Sequence, residues 1–155
     1  MISKEEIIKN YSFIEALSGN SECYTNSETF EGHGNLCDIY FDTINGELQQ
    51  IQIDTFNDFQ KNIKKHTSEI EQFITSNLKS TEIAKIDEIS NVDLNFDVIQ
   101  VPQGNSKYDL VLICGKIYKY FLFIKKGISF RVEFKSGNIN SIQRKGKWNS
   151  LSDNE

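Results

Sequence analysis

Proline is nearly absent from this chain of 155 residues, with one occurrence, and cysteine, tryptophan and methionine number three, one and one. Each scarcity excludes a class. Collagen-like and proline-rich extended architectures need proline in quantity, and a small disulfide scaffold needs cysteine at high density. No apolar run approaches the roughly 18 residues of a spanning helix, so no membrane contact is predicted. The stretch from Met1 to Leu17 is interrupted by Lys4, Glu5, Glu6, Lys9 and Glu15. It lacks the continuous apolar segment of a signal peptide and points to a cytoplasmic protein. The composition leaves one globular domain over residues 1–155, which at this size buries about two thirds of its surface and needs no metal or disulfide to fold.

Chemical signatures are missing as well. Cys23, Cys37 and Cys114 are odd in number and widely spaced, with no Cys-x-x-Cys pair and no matching pair of histidines, so they read as reduced, partly buried thiols. Gly32-His33-Gly34 lacks the third glycine of a dinucleotide fingerprint, and Gly115-Lys116 is followed by Ile117 where a phosphate loop needs a hydroxyl. Neither Gly-x-Ser-x-Gly nor His-Glu-x-x-His occurs. No cofactor, metal or catalytic residue is therefore assigned, and the chain reads as non-enzymatic.

What is present is a charge asymmetry. The formal net charge is −5, yet residues 1–105 hold 7 basic and 18 acidic side chains while residues 106–155 hold 10 and 4. Two halves of opposite sign either pack together and cancel or leave a polarised surface that steers a charged partner. Lys supplies all the basic side chains except Arg131 and Arg144, a usage typical of AT-rich bacterial genomes.

The patterning predicts an α+β domain. Ser3-Lys4-Glu5-Glu6 has capping-box spacing, and Ile7, Ile8, Tyr11, Ile14 and Leu17 recur at helical intervals, which predicts a helix over about 4–17. The polar stretch from Gly19 to Asn35 reads as a long loop or an edge strand. Alternation in Leu36 to Asp42 and in Leu48 to Ile53, separated by Asn45-Gly46, predicts a β-hairpin over about 36–53. Phe56, Phe59, Ile63, His66, Ile70, Phe73 and Ile74 form one stripe of a helix over about 55–78, with Asp54 or Thr55 as its cap. Residues 80–91 fit either a short helix or a strand. Residues 92–144 are rich in β-branched and aromatic side chains and predict an antiparallel meander of four or five strands, with turns at Lys126-Gly127 and Ser136-Gly137. The long amphipathic helix is expected to cover one face of that sheet.

Three sets of residues are candidates for function. Glu22, Tyr24, Glu28, Glu31, Asp38, Tyr40 and Asp42 combine carboxylates with tyrosines, a mixture suited to docking a basic protein; the plainer alternative is a solvated loop. His33, on a glycine-flanked tip, and His66, on the apolar stripe, are the polar groups available to a ligand pocket or an enzyme cleft between helix and sheet. Lys116, Lys119, Arg131 and Trp148, among further lysines and aromatics, would suit a nucleic-acid face, against the plainer reading of core aromatics and edge-guarding lysines.

The helix from Thr55 to Leu78, followed by strands ending in Gly127-Ile128-Ser129-Phe130-Arg131-Val132-Glu133-Phe134 and then Ser136-Gly137-Asn138-Ile139, resembles the immunity proteins of bacterial toxin systems. The resemblance is one of class and carries over no site residues. It implies a protein that binds a cognate toxin, often a basic nuclease domain, and blocks its active site or its partner surface.

Overall fold

The computed structural model describes residues 1–15, 22–77, 89, 91–121 and 124–150, and their side chains except at 118–121, 124–126 and 146–150. Helix α1 (Lys4–Asn10) starts where the capping box places it: the Ser3 hydroxyl accepts from the Glu6 N–H at 3.2 Å, and the Glu6 carboxylate accepts from the Ser3 N–H at 2.7 Å. It ends at Asn10, well short of the expected residue 17. Tyr11 turns extended, setting its ring edge-on to Phe41 at 5.9 Å and donating its hydroxyl to Glu28 at 2.7 Å. Residues Ser12–Ile14 then form a short strand, β1, so Ile8 and Ile14 share the helical period with Ile7 but stay exposed.

The polar stretch that follows is an inner strand. β2 (Glu22–Thr29) pairs antiparallel with β1 on one side and with β3 (Leu36–Thr43) on the other. The hairpin expected over 36–53 does not form. Asn45 and Gly46 do take the left-handed backbone that such a turn requires, at φ 54° and 71°. They deliver the chain into a helix, α2 (Gln50–Lys61), because Gln52, Ile53 and Phe56 match a helical stripe better than Leu48 to Ile53 matches a strand. Ile51, between the buried Leu48 and Gln52, is 55% exposed. The helix also starts before Asp54 and Thr55, so neither caps it.

The single helix expected over 55–78 is two. Asn62 leaves the helical region at φ −101° and ψ 12°, its side chain bonding back to the Asp58 carbonyl at 2.9 Å, and α3 (Ile63–Asn77) follows. The apolar stripe continues across the break, with Ile53, Phe56 and Phe59 buried on α2 and His66, Ile70 and Ile74 on α3. Phe56 meets Phe41 at 5.2 Å, while Phe59 meets Phe96 and Phe134 at 6.1 and 5.5 Å. Burying each such side chain contributes about 2 kcal/mol or more.

After α3, β4 (Asn95–Val101) returns parallel to β3, with Ile39 opposite Ile99 and Phe41 opposite Val101. Parallel neighbours need a long crossover, which α2 and α3 supply. β5 (Leu110–Phe121), β6 (Ile124–Lys135) and β7 (Asn138–Ser150) complete the expected meander, which runs to 150 rather than 144. Ser136 and Gly137 make the predicted turn at φ 51° and 73°. Lys126-Gly127 lies inside β6 and is not a turn. Among the described residues the sheet has seven strands in the order β1-β2-β3-β4-β5-β6-β7, antiparallel except at β3–β4. The expected short element at 80–91 falls almost wholly outside the described residues. Among the described residues, no helix is long and apolar enough to cross a membrane.

Burial alternates along the strands. Cys37, Ile39 and Phe41 on β3, Ile99 and Val101 on β4, Leu110, Leu112 and Cys114 on β5, and Phe130, Val132 and Phe134 on β6 share a core with the helices. Asp38, Tyr40 and Asp42, with Val98, Gln100, Arg131 and Glu133, point to the opposite face. Gln52 joins the layers. Buried on α2, its amide donates to the Asp42 carbonyl at the end of β3 and to the Val101 carbonyl at the end of β4, both at 2.9 Å, and its oxygen accepts from the Gln49 N–H.

Gln52→Leu keeps the volume but strands two carbonyls and one N–H, and is expected to lower unfolding free energy by about 3 kcal/mol. Urea denaturation measures this. A loss below about 1 kcal/mol would show that the clamp is dispensable.

Candidate functional site

The structure divides the acidic and tyrosine residues between two faces of the sheet. Glu22, Tyr24 and Glu28 lie on the helix side of β2, because they stand opposite Thr43, Phe41 and Cys37 in the register. They are engaged there: Glu22 accepts from the Gly46 N–H at 2.7 Å, Glu28 accepts from Tyr11 and Asn26, and Tyr24 packs on the core. Glu31, in the turn after β2, pairs with Lys64 at 3.2 Å with both side chains exposed, a contact of small energetic weight. Asp38, Tyr40 and Asp42 remain together on the face away from the helices. Asp38 accepts from Ser27 at 2.5 Å and Asp42 from Gln100 at 2.8 Å. Burial raises the Asp42 carboxyl above its ordinary range, and the Gln100 bond offsets part of that.

His33 is not on a free tip. It is 7% exposed and stacks on Phe96 at 3.8 Å; its Nδ1 bonds the Leu94 carbonyl and its Nε2 faces the Thr67 hydroxyl at 3.3 Å. The ring ties the turn after β2 to α3 and to the approach to β4. Both nitrogens are occupied by the fold itself.

Of the basic set, Lys116 is buried on the helix side and paired with Glu71 of α3 at 2.9 Å. Arg131 lies on the other face and donates to Glu133 at 2.8 Å. The side chains of Lys119 and Trp148 lie outside those described. Burial pushes the Glu133 carboxyl up, but hydrogen bonds from Ser141, Arg131 and Tyr108 outweigh it and hold the group at about 2. The thiols are free and buried; burial raises Cys23, pushes Cys37 up to about 12 and raises Cys114 further, which makes them poor nucleophiles.

His66 stands apart. It is 1% exposed, lies parallel to Phe59 at 5.8 Å and edge-on to Phe134 at 5.0 Å, and its Nδ1 has no hydrogen-bond partner. The closest carboxylate oxygen, on Glu69, is 3.6 Å away. Burial lowers the imidazole pKa below its ordinary range, and the neighbouring Glu69 carboxylate offsets part of that. It lines a cavity of about 300 Å³ between α2, the start of α3, the start of β5 and the β6–β7 turn. Phe59, Leu110 and Phe134 share the lining with Asp54, Asp58 and Asp109. Those carboxylates were not among the sequence candidates. The i, i+4 spacing of Asp54 and Asp58 on a helix was available as a signal; the approach of Asp109 depends on the sheet.

Among the described residues, no group of three or more His, Cys, Asp or Glu is arranged to hold a metal ion. No protein-family model, curated protein or solved structure matches the chain.

Two outcomes follow from this geometry. His33→Ala removes a stacked ring and its bonds, and is expected to cost about 2–4 kcal/mol in urea denaturation; a variant of wild-type stability would return the residue to the functional candidates. Glu133 has a folded pKa below its ordinary 4.5, so its ionised form stabilises the fold above that pH, and the contribution is lost as the pH falls toward about 2. The stability advantage of the native chain over Glu133→Gln should therefore shrink between about pH 5 and pH 3. An advantage independent of pH would contradict the assignment.

Proposed function

We propose that this chain is a non-catalytic binding module of the immunity-protein type, a bacterial cytoplasmic protein that binds a cognate protein toxin and blocks it. One observation carries the reading. Residues 12–43, which hold the first three strands, contain six carboxylates and no Lys or Arg. Because the sheet order repeats the chain order, they form an acidic end of the sheet. Residues 110–150, at the other end, hold nine basic side chains and one acidic. A field of that shape orients a basic partner, such as a nuclease domain, as it approaches.

The contact surface centres on Asp38, Tyr40 and Asp42, on the sheet face opposite the helices. Glu22, Glu28 and Glu31 contribute to the field while their carboxylates serve contacts within the fold. Tyr40 offers rigid amphipathic area, and Asp42 is already partly desolvated, so a partner cation displaces less water from it. The nucleic-acid reading is weaker, since Lys116 and Arg131 are both paired internally. A second reading, a small-ligand domain, is supported by the cavity beside His66.

The test is association with the product of a toxin gene adjacent to this one. Asp38→Lys/Asp42→Lys is expected to weaken binding at least about tenfold, or 1.4 kcal/mol, with a smaller effect at high salt. Unchanged affinity removes this surface from the interface.

A further inference from the structure

The cavity between α2, α3 and the β6–β7 turn combines a buried apolar floor with an acidic rim. Its floor is made by the buried Phe59, Leu110 and Phe134, with the almost wholly buried His66 imidazole beside them and the hydroxyls of Thr55 and Ser136 nearer the opening. Native folds leave few buried polar atoms unpaired; the His66 Nδ1 makes no hydrogen bond, and the Glu69 carboxylate is 3.6 Å from it. The rim is acidic. Asp54 and Asp58 stand one turn apart on α2 and are exposed; they accept hydrogen bonds from the neutral amides of Gln50 and Asn62. Asp109 lies across the mouth with Lys135 at 2.6 Å and the Ser136 N–H at 2.7 Å, so its charge is already matched. Among the described residues, the ammonium of Lys135 is matched to Asp109, and Asp54 and Asp58 on α2 make no ion pair.

Gly137 completes the mouth. A Cβ there would stand 2.8 Å from the Asp58 carboxylate, so the turn backbone passes close to that group. The carboxylates are too dispersed to hold a metal ion among the described residues. An acidic rim over an aromatic floor suits instead an organic cation with an apolar body, whose charge meets Asp54 and Asp58 while its stem or ring lies against Phe59 and Phe134. At about 300 Å³ the space is at the small end for ligand pockets, enough for one ring or one side chain.

We propose that this cavity binds an ammonium or guanidinium group carried on a short apolar stem, either as a free amine or as the side chain of a partner protein. The proposal rests on the small-ligand reading and supplies its chemical class. It is separate from the open sheet face, which lies on the other side of the β layer.

Titration of the 15N-labelled full chain with phenethylamine, followed by NMR, tests it. Saturable shifts are expected at Phe59, His66, Leu110 and Gly137. Phenethyl alcohol and 3-phenylpropionate, of similar shape but neutral and anionic, should bind at least about tenfold more weakly, a difference of 1.4 kcal/mol. Asp54→Asn/Asp58→Asn should remove that preference, and Asp54→Glu/Asp58→Glu should restore it; these residues are exposed, so the variants keep the fold. Agmatine and N-acetyl-arginine amide then separate the sources. Binding of both assigns the site to a side chain, and binding of agmatine alone to a free amine. Equal binding of the three phenyl compounds would overturn the cation assignment while leaving a ligand pocket. No saturable shift from any of them up to about 10 mM, roughly ten times a millimolar Kd, would overturn both.

Discussion

A single buried amide decides how the layers of this protein meet. Gln52 satisfies a carbonyl near the end of β3 and the last carbonyl of β4 at once, and those two strands form the parallel pair in an otherwise antiparallel sheet. A parallel pair cannot be closed by a tight turn; it requires a crossover that leaves the sheet, travels back along one face and re-enters at the same end. The helices α2 and α3 are that crossover. Once they lie on one face, Phe41, Phe96 and Phe134 have partners, and the strand residues between them turn to the opposite side. The cavity follows from the same constraint, because Asp58 and Phe59, just before the break at Asn62, and His66, just after it, face the β6–β7 turn across an open space.

Chain order and sheet order coincide, and this converts a one-dimensional charge pattern into a spatial one. Had the strands been shuffled, the acidic first part and basic last part would have interleaved and largely neutralised each other. Here they stand at opposite ends. The pair formed by Lys116 and Glu71 does cross from one segment to the other, but it joins α3 to β5 from within the structure. Its role is to hold a helix against the sheet. Breaking it would leave a buried ammonium uncompensated, which is far costlier than loss of a surface pair.

The legible parts of the fold were those whose cause is local. The capping box at Ser3 and Glu6, the left-handed turns at Asn45-Gly46 and Ser136-Gly137, and the apolar stripe from Phe56 to Ile74 are each encoded within a few residues. The parallel β3–β4 contact was hidden, because nothing in Leu36 to Thr43 records which strand lies on its far side. The misread hairpin shows the same limit: Asn-Gly specifies a turn, while the element that follows is selected by tertiary burial of Gln52, Ile53 and Phe56. In the candidate site, Asp38, Tyr40 and Asp42 stayed together because strand alternation places them on one face. Glu22 and Glu28 were separated from them by register, which a single sequence does not display.

The two histidines show why residue type is a poor guide to role. Both are buried against aromatic rings near the helix layer, and His33 looked the more available of the two. Yet His33 has a carbonyl for one nitrogen and a hydroxyl for the other, so the fold accounts for its burial completely. His66, on a stripe where an aliphatic residue would serve packing better, keeps an unpaired Nδ1 beside an open space. Desolvating an imidazole without a hydrogen bond costs free energy that a leucine would not. That cost falls at a ring lining a cavity with carboxylates on its rim, which is why the ligand proposal is attached to His66 and not to His33.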